Sequence, residues 1–180
     1  MKAAVLVNGV PASGKSTVAR AISQATGWPL LGLDTIKEAL FNHLGIGDRA
    51  HNRTLGKASY EAIFAAVADF PDGCTTIIDA WFGFQPTGIL EQHLGRAGIS
   101  HAVEVWCHAP PDIIGQRYAG RLGARPAGHL GAEYVPELVE LAGRAAPIGK
   151  FPVIEVDTTA ILAAAELVFK IRRELLKCCP

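Results

Sequence analysis

The spacing of apolar positions changes repeatedly along the chain. Ala3–Val7 is an unbroken apolar run, the pattern of a strand covered on both faces. Small and polar residues follow in Gly9–Gly14. From Lys15 the period becomes helical, with Val18, Ile22 and Ala25 at i, i+4 and i+7 and Gly27 placed to end the helix. Leu30–Leu33 predicts a second strand with Asp34 at its C-terminal end. Asp34 and Thr35 suit the N-cap of a helix over Ile36–Leu44. An alanine-rich helix is predicted over about 54–69, with Ala58, Ala62, Ala65 and Asp69 on one stripe, before the turn signal Pro71-Asp72-Gly73.

Thr75–Ile78 is a β-branched run that ends in Asp79. Thr87–Ala97 reads as a helix closed by Gly98, and Ala102–Cys107 as the fourth strand. Glu104 lies inside that strand, so it must stand at a sheet edge or be paired. Pro110-Pro111-Asp112 opens a helix to about Ala119. Glycines at 120, 123, 128 and 131 then break up the chain, and a helix over about 133–144 comes next. Val153–Val156 is the fifth strand. Asp157-Thr158-Thr159 leads into a last helix with Ala164, Val168, Ile171 and Leu175 on one face. This strict alternation predicts an α/β fold, a single three-layer domain over residues 1–180 with a five-stranded parallel sheet and right-handed crossovers. In such sheets ligands lie beyond the carboxyl ends of the strands. Gly9–Ser16, Asp34 and Asp79 all fall at such ends.

Charge narrows the partners. Lys and Arg (17) balance Asp and Glu (17), so no broad basic footprint points to nucleic acid or to an anionic membrane. The N-terminal apolar run is too short for a signal peptide or a membrane span, which makes the cytoplasm the expected address. Cys74 and Cys107 sit in or beside apolar runs and read as free thiols. Cys178 and Cys179 do not fit a prenylation signal. His43, His51, His93, His101, His108 and His129 show no metal-ligand spacing and are read as ordinary surface or core residues.

The chemistry enters with Gly9-Val10-Pro11-Ala12-Ser13-Gly14-Lys15-Ser16, which satisfies G-x-x-x-x-G-K-[ST] at every fixed position. Glycines let the backbone curl so that successive N–H groups face phosphate oxygens, and the helix that opens at Lys15 adds its positive end. Lys15 is placed for the β/γ-phosphates and Ser16 for Mg²⁺, with Thr17 following in the same turn. The cofactors implied are ATP and Mg²⁺. Asp79 closes a buried strand as a second Mg²⁺-holding group. Asp34 would enter the same crevice and can accept a proton from a hydroxyl acceptor, or only cap its helix. Lys37 can meet an anionic part of the substrate. Trp81, Phe82 and Phe84 can wall an acceptor pocket or simply pack.

Arg117, Arg121 and Arg125 are spaced by four, but Gly120, Gly123 and Pro126 break the helix that would align them. A hinged lid over about 117–147 fits better. Its arginine forks would meet the phosphoryl oxygens and its closure would exclude water. Arg144 and Lys150 are weaker candidates for the lid's far side.

With these residues placed, the chain resembles the small P-loop kinases grouped with gluconate kinase, chloramphenicol phosphotransferase, the polynucleotide 5′-kinase domain and the zeta-toxin kinases. The likeness rests on Gly9–Thr17, Leu33-Asp34-Thr35-Ile36-Lys37, Ile77-Ile78-Asp79-Ala80, Arg117…Arg121…Arg125-Pro126 and Val156-Asp157-Thr158-Thr159. It implies the P-loop NTPase strand order 2-3-1-4-5. It implies Asp34 as the acceptor base, Arg117, Arg121 and Arg125 as lid arginines on ATP, and Thr158 beside the adenine. The second segment resembles an Asp-x-x-Arg motif of the polynucleotide branch, with Lys37 in place of the arginine. His43–Thr54 and Trp81–Gln85 match no substrate signature.

The sequence therefore predicts an ATP-dependent kinase acting on a hydroxyl of a small molecule. A polynucleotide, nucleoside or nucleotide-sugar kinase is the second reading, and a non-catalytic nucleotide switch the third. No Asn/Thr-Lys-x-Asp guanine motif is present. The acceptor and the oligomeric state are left open.

Overall fold

In the computed structural model, which describes residues 1–177, β1 (Lys2–Asn8) is the central strand of a five-stranded sheet. Its residues Ala4–Val7 are wholly buried because both faces are covered, as their unbroken apolar run requires. Around it lie β2 (Leu30–Gly32), β3 (Thr75–Asp79), β4 (Ile99–His108) and β5 (Val153–Asp157), in the order β2-β3-β1-β4-β5, with every pairing parallel. The C-terminal Cys178–Cys179 reading falls outside the described residues.

Helices pack on both faces. α1 (Lys15–Thr26) and α7 (Ala164–Lys177) cover one face, where Val18, Ile22, Leu167 and Ile171 meet Val5, Val7 and Ile77. α3 (Arg49–Ala68) and α4 (Thr87–Arg96) cover the other, where Tyr60, Ile63, Leu90 and Leu94 meet Ala4, Leu6 and Ile78. α5 (Pro111–Ala119) and α6 (Val135–Arg144) form a third apolar cluster with Val10 and Ala12, around the buried Tyr118 and Leu138. α2 (Leu33–Leu44) runs from the end of β2 and packs on α3. Among the described residues no helix is long and apolar enough to cross a membrane, and Cys74 and Cys107 are free.

Three expectations change in detail. α2 begins at Leu33, two residues before Thr35, so Asp34 lies inside its first turn instead of capping it; Gly32 stands at the cap. α3 begins at Arg49, five residues early, because the Asp48 side chain accepts from the His51 N–H and nucleates the turn. The stripe Ala58, Ala62, Ala65, Asp69 faces solvent, while Leu55, Tyr60, Ile63, Phe64 and Val67 carry the core. Glu104 is not at an edge, since β4 lies between β1 and β5. It is fully buried and paired instead: its carboxyl accepts from Asn8 Nδ2 (2.7 Å) and from the Ile148 and Gly149 amides (2.9 and 3.1 Å).

Candidate active site

The register of the sheet assembles the site. Gly32 and Val7 both flank Asp79, one from each neighbouring strand. The chain therefore leaves β1 into the Gly9–Gly14 loop on one side of Asp79, and leaves β2 into Asp34 on the other. A cavity of about 620 Å³ opens over these ends and is lined by Pro11, Lys15, Asp34 and Asp79.

The loop's shape follows from its small residues. Gly9 has φ 156° and Gly14 φ 85°. A Cβ on Gly9 would stand 2.4 Å from Ser13 Oγ and 2.5 Å from the Cys107 carbonyl, and one on Gly14 would press on Thr158 at 3.1 Å. Ala12 also takes a left-handed φ of 68°, a conformation that costs a non-glycine residue energy and that the packed loop enforces. The turn is closed by Ser13 N–H donating to the Val10 carbonyl at 3.1 Å. Lys15 and Ser16 then begin α1, where N–H groups have no carbonyl one turn back to meet. The Thr17 N–H is spent on the Gly14 carbonyl at 3.0 Å, which leaves its hydroxyl as the polar group it can offer.

Asp79 is 8% exposed, and its Oδ1 has no hydrogen-bond partner. Desolvation pushes its pKa up; Lys15, the Ser16 hydroxyl and Arg20 act against that. Ser13 Oγ is likewise buried without a partner. An orphaned buried carboxylate oxygen beside a serine hydroxyl and a lysine fits Mg²⁺ carried on a phosphate. That ion takes few protein ligands and completes its shell with phosphate oxygens and water. Among the described residues no group of three or more His, Cys, Asp or Glu could hold a metal by itself.

Asp34 is half-exposed, and its Oδ2 lies 3.5 Å from Arg125 Nη2. Burial acts to raise its pKa, but Lys15, His129, Arg125 and Lys37 together hold it below the ordinary carboxylate value. Arg125 also stacks over the Tyr118 ring at 5.3 Å and donates to His129 Nδ1 at 2.9 Å. His129 Nε2 in turn meets Glu38 Oε1 at 2.8 Å. A guanidinium only donates, so Nδ1 accepts and the Nε2–H is given to Glu38. Burial, then Arg125, depress the His129 pKa, which keeps this neutral tautomer. His129 thus belongs to the site, contrary to its reading as ordinary packing. Its place four residues after Arg125 was the available signal.

The three arginines do different things. Arg117 donates to Thr158 Oγ1 and to the Thr158 carbonyl, both at 2.9 Å, and so ties the end of α5 to the loop that follows β5. Thr158 Oγ1 donates to the His108 carbonyl at 3.0 Å and lies against Gly14. Arg121 is exposed and reaches back to the Arg117 carbonyl. Only Arg125 turns toward Asp34.

On the outer side, Lys37 donates to Asn52 Oδ1 and lies 5.4 Å from the Phe41 ring centroid. Burial pulls its pKa down and Asp34 pulls it up. Trp81 and Phe84 line the cavity, whereas Phe82 is buried in the core against Tyr60. α3 contributes Arg49, Asn52, Arg53 and Lys57 to the lining. None of these four stands out in the sequence, where α3 is expected to start near Thr54.

Known proteins share the fold that carries this site. A family model, AAA_33, described as an AAA domain, matches residues 5–137. No curated protein gives a match. Among solved structures, a candidate kinase from Chloroflexus aurantiacus is 24% identical, covers 97% of this chain and 98% of its own, and superposes with a TM-score of 0.80. A gluconokinase from Sinorhizobium meliloti is 21% identical, with 97% and 92% covered and a TM-score of 0.58. A shikimate kinase from Acinetobacter baumannii, in complex with shikimate, is 15% identical, with 98% and 93% covered and a TM-score of 0.56. At these identities the likeness is one of fold. With the family model spanning most of its length, the chain belongs to the AAA_33 family of AAA domains and has the fold of the small P-loop kinases.

Proposed function

We propose that the protein is an ATP-dependent kinase that transfers the γ-phosphoryl group to a hydroxyl of a small molecule. The observation that carries this reading is the register that sets Asp34 and the Gly9–Ser16 loop on either side of Asp79 over one cavity. That volume suits a small-molecule site.

The loop amides and Lys15 would hold the β/γ-phosphates, and Ser16 and Asp79 would hold Mg²⁺. When bound, that ion offsets charge on the transferring group. Asp34 accepts the acceptor's proton as the hydroxyl oxygen bonds to the γ-phosphorus and the bridging P–O bond to ADP breaks. Lys15, His129, Arg125 and Lys37 together keep Asp34 ionised, and Arg125 orients it. The low basicity this imposes suits a loose transition state, in which the proton moves late. Arg121 is free to reach the phosphates, and Arg117 with Thr158 shapes the nucleotide side. The lid expected over about 117–147 narrows to the residues between Gly120 and Leu130, because Tyr118 and Leu138 on either side are fixed in the core. The expected setting is the ATP-containing cytoplasm, where free thiols such as Cys74 and Cys107 persist.

The test is a panel of polyols, sugars, hydroxy acids, nucleosides and a 5′-hydroxyl oligonucleotide, assayed for ADP release with Mg·ATP. A small acceptor should be phosphorylated by the native chain. ATP binding with no acceptor turned over would leave the nucleotide-switch reading in its place.

A further inference from the structure

The cavity's charges do not balance, and two of its three surplus cations lie on one helix face. Its acids are already engaged. Glu137 holds Arg49 at 2.6 and 2.9 Å, Asp34 faces Arg125, and Asp79 stands beside Lys15 and Ser16. Lys37, Arg53 and Lys57 remain, and among the described residues none of them has an acid within ion-pair distance. Arg49, Arg53 and Lys57 recur at i, i+4 and i+8, so their side chains share one face of α3. Like charges at that spacing repel and destabilise the helix, and the fold supplies a counter-charge at Arg49 only. Gly56, on the same face, is buried and leaves the space before Lys37 open. The apolar part of the lining is formed by Trp81, Phe84, Leu130 and Leu141, with Phe84 edge-on to Tyr60 of α3.

We infer that the acceptor is an anionic hydroxy compound, a carboxylate or phosphate carried on a small carbon skeleton, and that Arg53 and Lys57 bind its negative group. The inference rests on the kinase reading for the word acceptor, but the anion site stands on the charges alone. Arg53 and Lys57 are one helical turn apart, about 6 Å along the axis, a span that one carboxylate or phosphate can bridge. The carbon skeleton then lies along Trp81 and Phe84, and its hydroxyl is directed to Asp34. The aromatic wall and the closed charge pair Arg49–Glu137 bound the site to something small. A polynucleotide would need a basic track longer than this one face.

The experiment has two arms. With the loop filled by a non-hydrolysable ATP analogue and Mg²⁺, gluconate, gluconate 6-phosphate and neutral sorbitol are titrated calorimetrically into the native chain and into R53A/K57A. The acids should bind the native chain and lose about tenfold or more in affinity per residue removed. Binding should also weaken with added salt, and sorbitol should not compete. In the second arm the same compounds are assayed for turnover. Among the acids that react, KM should rise in the double variant far more than kcat falls, and R53K should recover part of the loss. Equal binding of the acids to native and double-variant protein overturns the inference, as does more efficient turnover of sorbitol or of a 5′-hydroxyl oligonucleotide. If the acids bind through Arg53 and Lys57 and none is phosphorylated, the anion site stands and the kinase reading fails.

Discussion

Arg125 and Asp34, 91 residues apart in sequence, face each other across the mouth of the cavity with Nη2 and Oδ2 3.5 Å apart. The contact joins the segment after α5 to the first turn of α2. It lets one residue set where the candidate base points while adding to the charge that Lys15, His129 and Lys37 supply for its ionisation. Asp34→Asn should lower kcat by about 10²- to 10⁴-fold, the range for a general base, while leaving Mg·ATP affinity within a factor of about two. Arg125→Ala should lower kcat as well and raise the apparent pKa of Asp34. Steady-state rates beside a fluorescent-nucleotide titration separate the two effects. An Asp34→Asn enzyme with native kcat would remove Asp34 from the chemistry.

The pH dependence follows from the neighbours of Arg125. Asp34 titrates below its ordinary value, so it is not the source of an acid limb near neutrality. His129 is. Its pKa is depressed from 6.5, and protonation puts a second N–H at Nδ1, against the Arg125 guanidinium. The neutral ring's contribution to stability is present above 6.5 and is lost as pH falls through the depressed value. We expect kcat/KM to be flat above 6.5 and to fall below it. His129→Gln can accept from Arg125 and donate to Glu38 without titrating. It should keep most of the activity and push the acid limb toward the Asp34 range.

Much of this is legible in the sequence. Every strand and most helix ends can be read, because an unbroken apolar run and a 3.6-residue period are local signals, but β4 and α2 both start three residues earlier than their apolar patterns suggest. The loop, Asp34, Asp79 and Trp81 stand out because strand ends concentrate chemistry in a parallel sheet. The residues that escape have tertiary causes. Arg53 and Lys57 look like solvated helix charges until α2 is seen to bring Lys37 and Asp34 beside them. His129 looks unremarkable until Arg125 and Glu38 bracket it. Glu104 announces only that it needs a partner, and the partners are an amide side chain 96 residues away and two backbone N–H groups.

The loop is expected to fail by crowding. Gly14 combines φ 85° with Thr158 carbons 3.1–3.2 Å from any added Cβ. Gly14→Ala should therefore displace both the loop and Thr158, with a loss of Mg·ATP affinity of tenfold or more, about 1.4 kcal/mol. Thr158→Ser removes the crowding methyl and should restore part of that loss. Lys15→Ala should weaken Mg·ATP at least as much with no effect on the fold, measured by thermal unfolding without nucleotide.

Asp79 is a carboxylate that the nucleotide-free fold holds at a cost. Its pKa is raised, chiefly by desolvation, so the fold favours its protonated form. That contribution is complete below 3.8 and is lost as pH rises through the raised value. Asp79→Asn should therefore raise the Tm of the nucleotide-free protein at neutral pH and change it little in acid. The same variant should lose the extra thermal stabilisation that Mg²⁺ adds to ATP. A lower neutral-pH Tm would mean that the attraction of Lys15 for the ionised carboxylate outweighs the desolvation.

Glu104 is the buried tie between the sheet and the site. Asn8, held by Glu104 at 2.7 Å, turns its own Oδ1 to the Gly9 N–H at 2.8 Å and the Phe82 N–H at 3.1 Å. One carboxyl thus fixes the first residue of the phosphate loop, the segment that carries Trp81, and, through Ile148 and Gly149, the chain entering β5. Glu104→Ala leaves three buried or half-buried donors without acceptors, at about 1–3 kcal/mol each before relaxation. We expect at least about 3 kcal/mol of destabilisation by urea unfolding, and a Tm lower by about 6–12 °C. Glu104→Gln keeps the volume and an oxygen for Asn8 and Ile148 but sets its N–H₂ against the Gly149 N–H, so its stability should fall between native and Glu104→Ala. Asn8 loses its anchor in Glu104→Ala but keeps an acceptor oxygen in Glu104→Gln, so the KM for Mg·ATP should rise in the alanine variant and stay near the native value in the glutamine variant. Stability within about 1 kcal/mol of native in Glu104→Ala would show that Asn8 and the 148–149 amides find other acceptors, and that the loop is positioned by its own turn alone.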